Sequence, residues 1–172
     1  MSLQVTGSIN LPLKLTRAKT GGNLSQPTDA GTFTFPNTSY ASGTNAGQLE
    51  ECWFGSVTIV GTNVTTIDLS DTTGAGLVMQ GDAIAFTKIK EFFVYNRSSN
   101  AADIATVTFN GTNGWTAWLN GSMKIDPTTC AGFADAGGLG FAVTAGTGDK
   151  VSFVNSGTNT ITLDLMIAGN KS

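Results

Sequence analysis

Val151-Ser152-Phe153-Val154-Asn155-Ser156-Gly157-Thr158-Asn159-Thr160-Ile161-Thr162-Leu163-Asp164-Leu165-Met166-Ile167 is the stretch that decides the fold class. In its second half Ile161, Leu163, Leu165 and Ile167 alternate with Thr162, Asp164 and Met166. That period of two places one face of a strand in a core and the other outside. The first half is a short apolar run, and Ser156-Gly157-Thr158-Asn159 between the halves tolerates positive φ, so the segment predicts a β-hairpin. Just upstream, Gly146-Thr147-Gly148-Asp149 is a second hairpin signal.

Working outward, strand patterns recur at residues 53–60, 64–69, 84–95, 104–109, 115–119 and 141–143, separated by turn residues such as Gly61-Thr62-Asn63, Asn110-Gly111 and Asn120-Gly121. Many short strands at close spacing, with no amphipathic helix among them, predict an antiparallel sandwich or barrel. Residues 89–95 carry apolar side chains in both phases beside Lys90 and Glu91, as in a strand covered on both sides or one whose outer face meets another subunit.

The N-terminal part reads differently. Leu3, Val5, Ile9, Leu11, Leu13 and Leu15 share one phase, which predicts one long half-buried strand over residues 3–16, with a bulge at Gly7 and a kink or edge position at Pro12. Residues 18–47 are rich in Gly, Pro, Ser, Thr and Asn. They read either as an arm that orders on a partner or as a surface loop with Phe33 and Phe35 tucked into the core. The expected division is an N-terminal strand and arm at 1–47 and a β-sandwich domain at 48–172.

Composition narrows the function. The 172 residues suffice for one core. Charged residues are 12% of the chain, the net charge is −3, and Lys and Arg form no run, so no nucleic-acid footprint is present and any partner is met mainly by shape and apolar contact. No stretch approaches the length of a membrane-spanning helix, and no basic-then-apolar leader opens the chain, so the expectation is a protein made in the cytoplasm that does not enter a membrane.

The chain has no His, which removes Ser-His-Asp and Cys-His catalysis and His-bearing zinc sites. Its Asp and Glu residues are scattered and read as turn-forming or solvated. Asp68-Leu69-Ser70-Asp71 lacks the rest of an EF-hand loop, and Gly137-Gly138-Leu139-Gly140 lacks the Lys and the helix of a phosphate loop. Cys52 and Cys130 form no CxxC pair and read as two buried free thiols, or as one disulfide if they meet. On a regular strand Trp115 and Trp118 point to opposite faces, which favours packing over a sugar-stacking platform. No catalytic residue, metal ligand or cofactor is expected. Without His, stability is also expected to be nearly flat between pH 5 and 8.

Several segments in order carry a resemblance: Cys52-Trp53 through Ile67-Asp68-Leu69, Ala85-Phe86-Thr87-Lys88-Ile89-Lys90, Lys124-Ile125-Asp126-Pro127, and residues 143–157 closing on Ile167-Ala168-Gly169. This pattern resembles capsid decoration (cement) proteins of tailed bacteriophages. It departs from them at Pro127-Thr128-Thr129, where a Pro-Gly-Gly turn is usual.

The resemblance implies an all-β, jelly-roll-like antiparallel β-sandwich with an N-terminal extended arm, and a homotrimer on the virion surface that bridges major capsid protein subunits. It implies no enzymatic activity. On that reading Leu3, Val5, Ile9, Leu11, Phe33, Phe35 and Tyr40 are candidate capsid contacts, and Phe92, Phe93 and Tyr95 candidate trimer contacts. The rival from another class is a receptor- or carbohydrate-binding module of a tail fibre or adhesin, which requires exposed aromatics lining a groove. A neck or tail-tube component is a further alternative.

Overall fold

In the computed structural model the described residues are 7–9, 12–17, 29–34, 38–73, 76–79, 82–135 and 137–171, with side chains described from Tyr40 onward apart from those of Met79 and Asp82. Their regular structure is entirely β. The strands in chain order are β1 Gly7–Ile9, β2 Pro12–Arg17, β3 Asp29–Thr34, β4 Thr38–Ser42, β5 Gln48–Leu49, β6 Glu51–Ile59, β7 Val64–Asp68 and β8 Leu77–Met79. There follow β9 Asp82–Ile84, β10 Phe86–Asn96, β11 Ala105–Thr108, β12 Ser122–Ile125, β13 Cys130–Ala134, β14 Phe141–Ala142, β15 Lys150–Asn155 and β16 Ile161–Lys171.

Two antiparallel sheets make the body. One has the order β13-β10-β16-β6, with β14 also on β10; the other has the order β12-β11-β15-β7. The chain crosses between sheets at β6 to β7, β7 to β10, β10 to β11, β12 to β13, β14 to β15 and β15 to β16, so sequence neighbours mostly lie in opposite sheets. This order is the Greek-key winding of a jelly roll, the sandwich that the strand spacing and the resemblance imply.

The core lies between the sheets and is filled by alternate residues of each strand: Val57 and Ile59, Val107 and Phe109, Val151 and Phe153, and Ile161, Leu163, Leu165 and Ile167. An aromatic group closes one part of it. Phe92, Phe109, Trp115, Trp118 and Phe133 stack with ring centroids 4.5–6.5 Å apart, a spacing suited to offset and edge-on contacts.

Residues 115–119, expected as a strand, form a turn. That is why Trp115 and Trp118 join one cluster rather than opposite faces; the Trp115 indole N–H donates to the Ala142 carbonyl at 2.7 Å. β12 and β13 were not anticipated, because Lys124, Gly132 and the small residues around them interrupt the apolar alternation that marks the other strands.

The two-phase apolar pattern at 89–95 has a local cause. Ile89 pairs with Gly169 and Glu91 with Ala168, so Lys90 is an extra residue on β10, a bulge that shifts the phase. Ile89, Phe92 and Val94 therefore face the core, while Glu91, Phe93 and Tyr95 face outward. Gly169 is required at this bulge, since a Cβ there would fall on the Lys88 carbonyl oxygen.

The N-terminal expectation needs correction. Within the single strand expected over 3–16, the described residues form two strands, β1 paired with β4 and β2 paired with β3, and Pro12 opens β2, a position where its missing N–H is tolerated. Residues 18–47, read as an arm or loop, contain β3 and β4. The division placed after Gly47 runs through the parallel pairing of β4 with β5. Leu3, Val5, Leu11 and Phe35 lie outside the described residues; Ile9 is in β1 and Phe33 in β3.

Candidate functional site

The outer face of the β13-β10-β16-β6 sheet carries three cross-strand rows, fixed by the register of its pairings. The first is Ala134, Glu91, Ala168 and Cys52; the second Gly132, Phe93, Met166 and Phe54; the third Cys130, Tyr95, Asp164 and Ser56. Opposed side chains on such rows lie within contact distance of each other.

The middle row is bare and apolar. Phe54 is 55% exposed, and Phe93 and Met166 are half-buried. Phe93 leans across Gly132, which leaves room because a Cβ there would meet the Phe93 ring at 2.8 Å. Covering a ring such as that of Phe54 is worth about 1.5–3 kcal/mol.

The third row borders it with polar groups. Tyr95 is partly exposed, and Asp164 accepts hydrogen bonds from Arg97 Nε at 2.5 Å and Ser56 Oγ at 2.7 Å. Burial by itself pushes the Asp164 carboxyl up, but the bonds from Arg97 and Ser56 outweigh it and hold the group below its ordinary value. An apolar strip beside an oriented ion pair is how protein-binding surfaces are built: a central strip to desolvate and a polar margin to set register.

The first row is covered by residues 40–49. Tyr40 and Leu49 are buried against Ala168 and Cys52. Tyr40, a candidate capsid contact, is thus consumed by packing within its own chain, because β4 lies over the sheet instead of projecting from it. Of the candidate trimer contacts, Phe92 is wholly buried in the aromatic core and is withdrawn from any surface. Phe93 and Tyr95 lie on the outer face. Sequence reasoning missed Phe54 and Met166, whose place beside Phe93 depends on the register of β6 and β16; their position on the outward phase of each strand was the only available signal.

The buried acids of the loops are engaged in turns. Asp103 accepts from Ser98 Oγ at 2.9 Å and from Asn159 Nδ2, and Asp149 accepts from Ser70 Oγ at 2.9 Å and from the Gly146 amide. Among the described residues no group of three His, Cys, Asp or Glu side chains is placed to hold a metal. Cys52 is half-buried and Cys130 exposed, so the two thiols are free but not both buried.

No family model and no curated protein matches the chain. Among solved structures it is similar to the Yersinia pseudotuberculosis-derived mitogen, at 15% identity and a TM-score of 0.34, over 69% of this chain and 86% of that chain.

Proposed function

We propose that this chain is a structural virion protein that decorates a bacteriophage capsid and stabilises it by bridging major capsid protein subunits, acting as a homotrimer on the capsid surface. The observation that carries the surface-binding part of the reading is the bare row Phe54, Met166 and Phe93 beside Tyr95, on a sheet face otherwise covered or polar. The ordered motifs of the sequence carry the capsid part. In this reading the bare row joins copies of the chain, and the strands β1 to β3, with Ile9 and Phe33, meet the shell. Three linked copies raise the affinity of modest individual contacts.

Binding to a sugar is disfavoured because Trp115 is buried and Trp118 is packed with it in the aromatic core. The test is co-sedimentation of the purified protein with capsid shells lacking it, together with its native mass. Trimers that saturate the shell at fixed stoichiometry support the proposal. A monomer that leaves shells bare but is retained by a polysaccharide matrix would replace it with the fibre-module reading.

A further inference from the structure

Residues 40–49 lie over the outer sheet face as a strap, and its attachment differs in kind from the rest of the fold. The sandwich is held by a continuous apolar core. The strap buries only Tyr40 and Leu49, against Ala168 and the side of Cys52. Its remaining anchors are polar.

Lys90, the bulged residue of β10, is fully buried, and its ammonium donates to the carbonyls of Asn45 and Gln48, each at 2.6 Å. Asn170, at the end of β16, donates from Nδ2 to the Thr44 carbonyl at 3.0 Å. Within the strap the Ala41 amide donates to Gly47 and the Gly43 amide to Leu49, both at 3.0 Å, so the turn closes on itself around the Lys90 ammonium. Beneath it Asn170 Oδ1 is buried with no hydrogen-bond partner, and the Tyr40 hydroxyl has the Glu91 carboxyl as its neighbour. Buried polar atoms without partners favour an opening that wets them.

The geometry points to a built-in latch: the strap is a unit that undocks from the sheet while the sandwich stays folded, and Lys90 is the pin that holds it shut. A segment fixed by a few polar anchors over a thin apolar contact opens at lower free energy than the core beneath it. Undocking bares the row Ala134, Glu91, Ala168 and Cys52 next to the already bare row of Phe54, Met166 and Phe93, widening the exposed face by one cross-strand row with an acid at its centre. It also frees β1, which pairs with β4, from its tether to the sheet. This inference does not depend on the identity of any partner.

Cys52 lies under the strap and reports its opening. With Cys130→Ser removing the exposed thiol, the reaction of Cys52 with a small disulfide reagent is followed alongside exchange of the Glu50 amide, which ties the end of the strap to the Gly169 carbonyl of β16 at 3.0 Å. Lys90→Met removes the ammonium while keeping the length of the side chain, and is expected to speed both readouts about tenfold to a hundredfold. Asn170→Ala is expected to speed them several-fold. Amide exchange guards against a mere change in thiol ionisation when the neighbouring charge is lost.

The sandwich is checked in the same samples by tryptophan fluorescence and by exchange at the amides of β10 and β16, which should stay protected. Unchanged Cys52 reactivity and strap exchange in a folded Lys90→Met protein would overturn the inference. So would opening of strap and core amides together in either variant, or a Lys90→Met protein that does not fold, since Lys90 would then be part of the core rather than a pin.

Discussion

The two outer faces of the sandwich rest on the same alternating backbone and are furnished differently. On the β12-β11-β15-β7 sheet the outward residues include Thr106, Thr108, Ser122, Lys124, Ser152 and Thr66, with Thr66 and Ser152 hydroxyls bonded at 2.8 Å. On the opposite sheet the corresponding positions are Phe54, Phe93, Tyr95 and Met166, bordered by one ion pair. Both compositions suit a strand, since Thr and aromatic residues alike fit a pleated surface. Both leave apolar area to water, through Val64 on the first and Phe54 on the second, but only the second bares aromatic rings. β propensity therefore does not explain the asymmetry.

The largest expected effect separates the core side of β10 from its outer side. Phe92→Ala should destabilise the fold by about 3–5 kcal/mol, because it opens a cavity against Phe109 and Trp115. That is a large share of the roughly 5–15 kcal/mol typical of a domain, so chemical denaturation will show it directly. Phe93→Ala, one residue along and facing outward, should cost the isolated subunit far less. Equal losses at the two positions would mean that the outer row is structural.

The next test compares the faces directly. Phe54→Asp places a charge in the centre of the bare row and should weaken self-association by at least about 2 kcal/mol, roughly thirtyfold, with little change in unfolding midpoint. Ser152→Asp, on the hydroxyl-rich face, should leave association unchanged. Sedimentation velocity over a concentration series distinguishes them. Loss of association in both variants would point to net charge rather than to the row, and no loss in either would remove self-association from the outer face altogether.

How far these faces could be read from the sequence follows from their geometry. Strand phase was legible wherever the alternation ran unbroken, as in Ile161, Leu163, Leu165 and Ile167. At Lys90 the bulge moves the inward phase by one residue, and only the pairing with Gly169 and Ala168 reveals it, so the sequence does not tell that Phe92 faces the core and Phe93 the outside. Likewise Phe54 and Phe93 are thirty-nine positions apart and become neighbours only through Met166 on the strand between them.

The crossover that carries the chain from one sheet to the other, between β12 and β13, holds a strain that residue types alone do not reveal: Thr128 adopts φ 61°, a region costly for a β-branched residue. Thr128→Gly should relieve about 1–2 kcal/mol of backbone strain and lose about 0.5–1 kcal/mol to chain entropy, for a net gain under about 1.5 kcal/mol. The Thr128 amide bond to the Asn96 carbonyl, 2.9 Å, does not involve the side chain and should persist. Thermal unfolding of the two proteins measures the difference, and a lower midpoint for the Gly variant would show that the turn is relaxed as it stands.

The smallest effects lie within the aromatic-bearing sheet face, where its covered and bare rows hold acids shifted in opposite directions. Burial under the strap pushes the Glu91 carboxyl above its ordinary value of 4.5, against the opposing pull of the Tyr40 hydroxyl. A raised folded value means that the folded state holds the proton more tightly than the unfolded chain. Stability is therefore full below the ordinary value and declines as pH rises through the folded one. Asp164 runs the other way: its folded value is depressed below 3.8, so its contribution is present above that pH and is lost as pH falls further. Glu91→Gln should accordingly flatten the decline above the ordinary carboxylate range. Asp164→Asn should cost less than about 1 kcal/mol at pH 7, as expected of an exposed ion pair, and progressively less as acid protonates the carboxyl. Unfolding midpoints of the wild type and both variants from pH 2 to 8 provide the check. If Glu91→Gln leaves that decline as steep as before, the covered row is wetter than its burial implies and the contrast between the two rows fails.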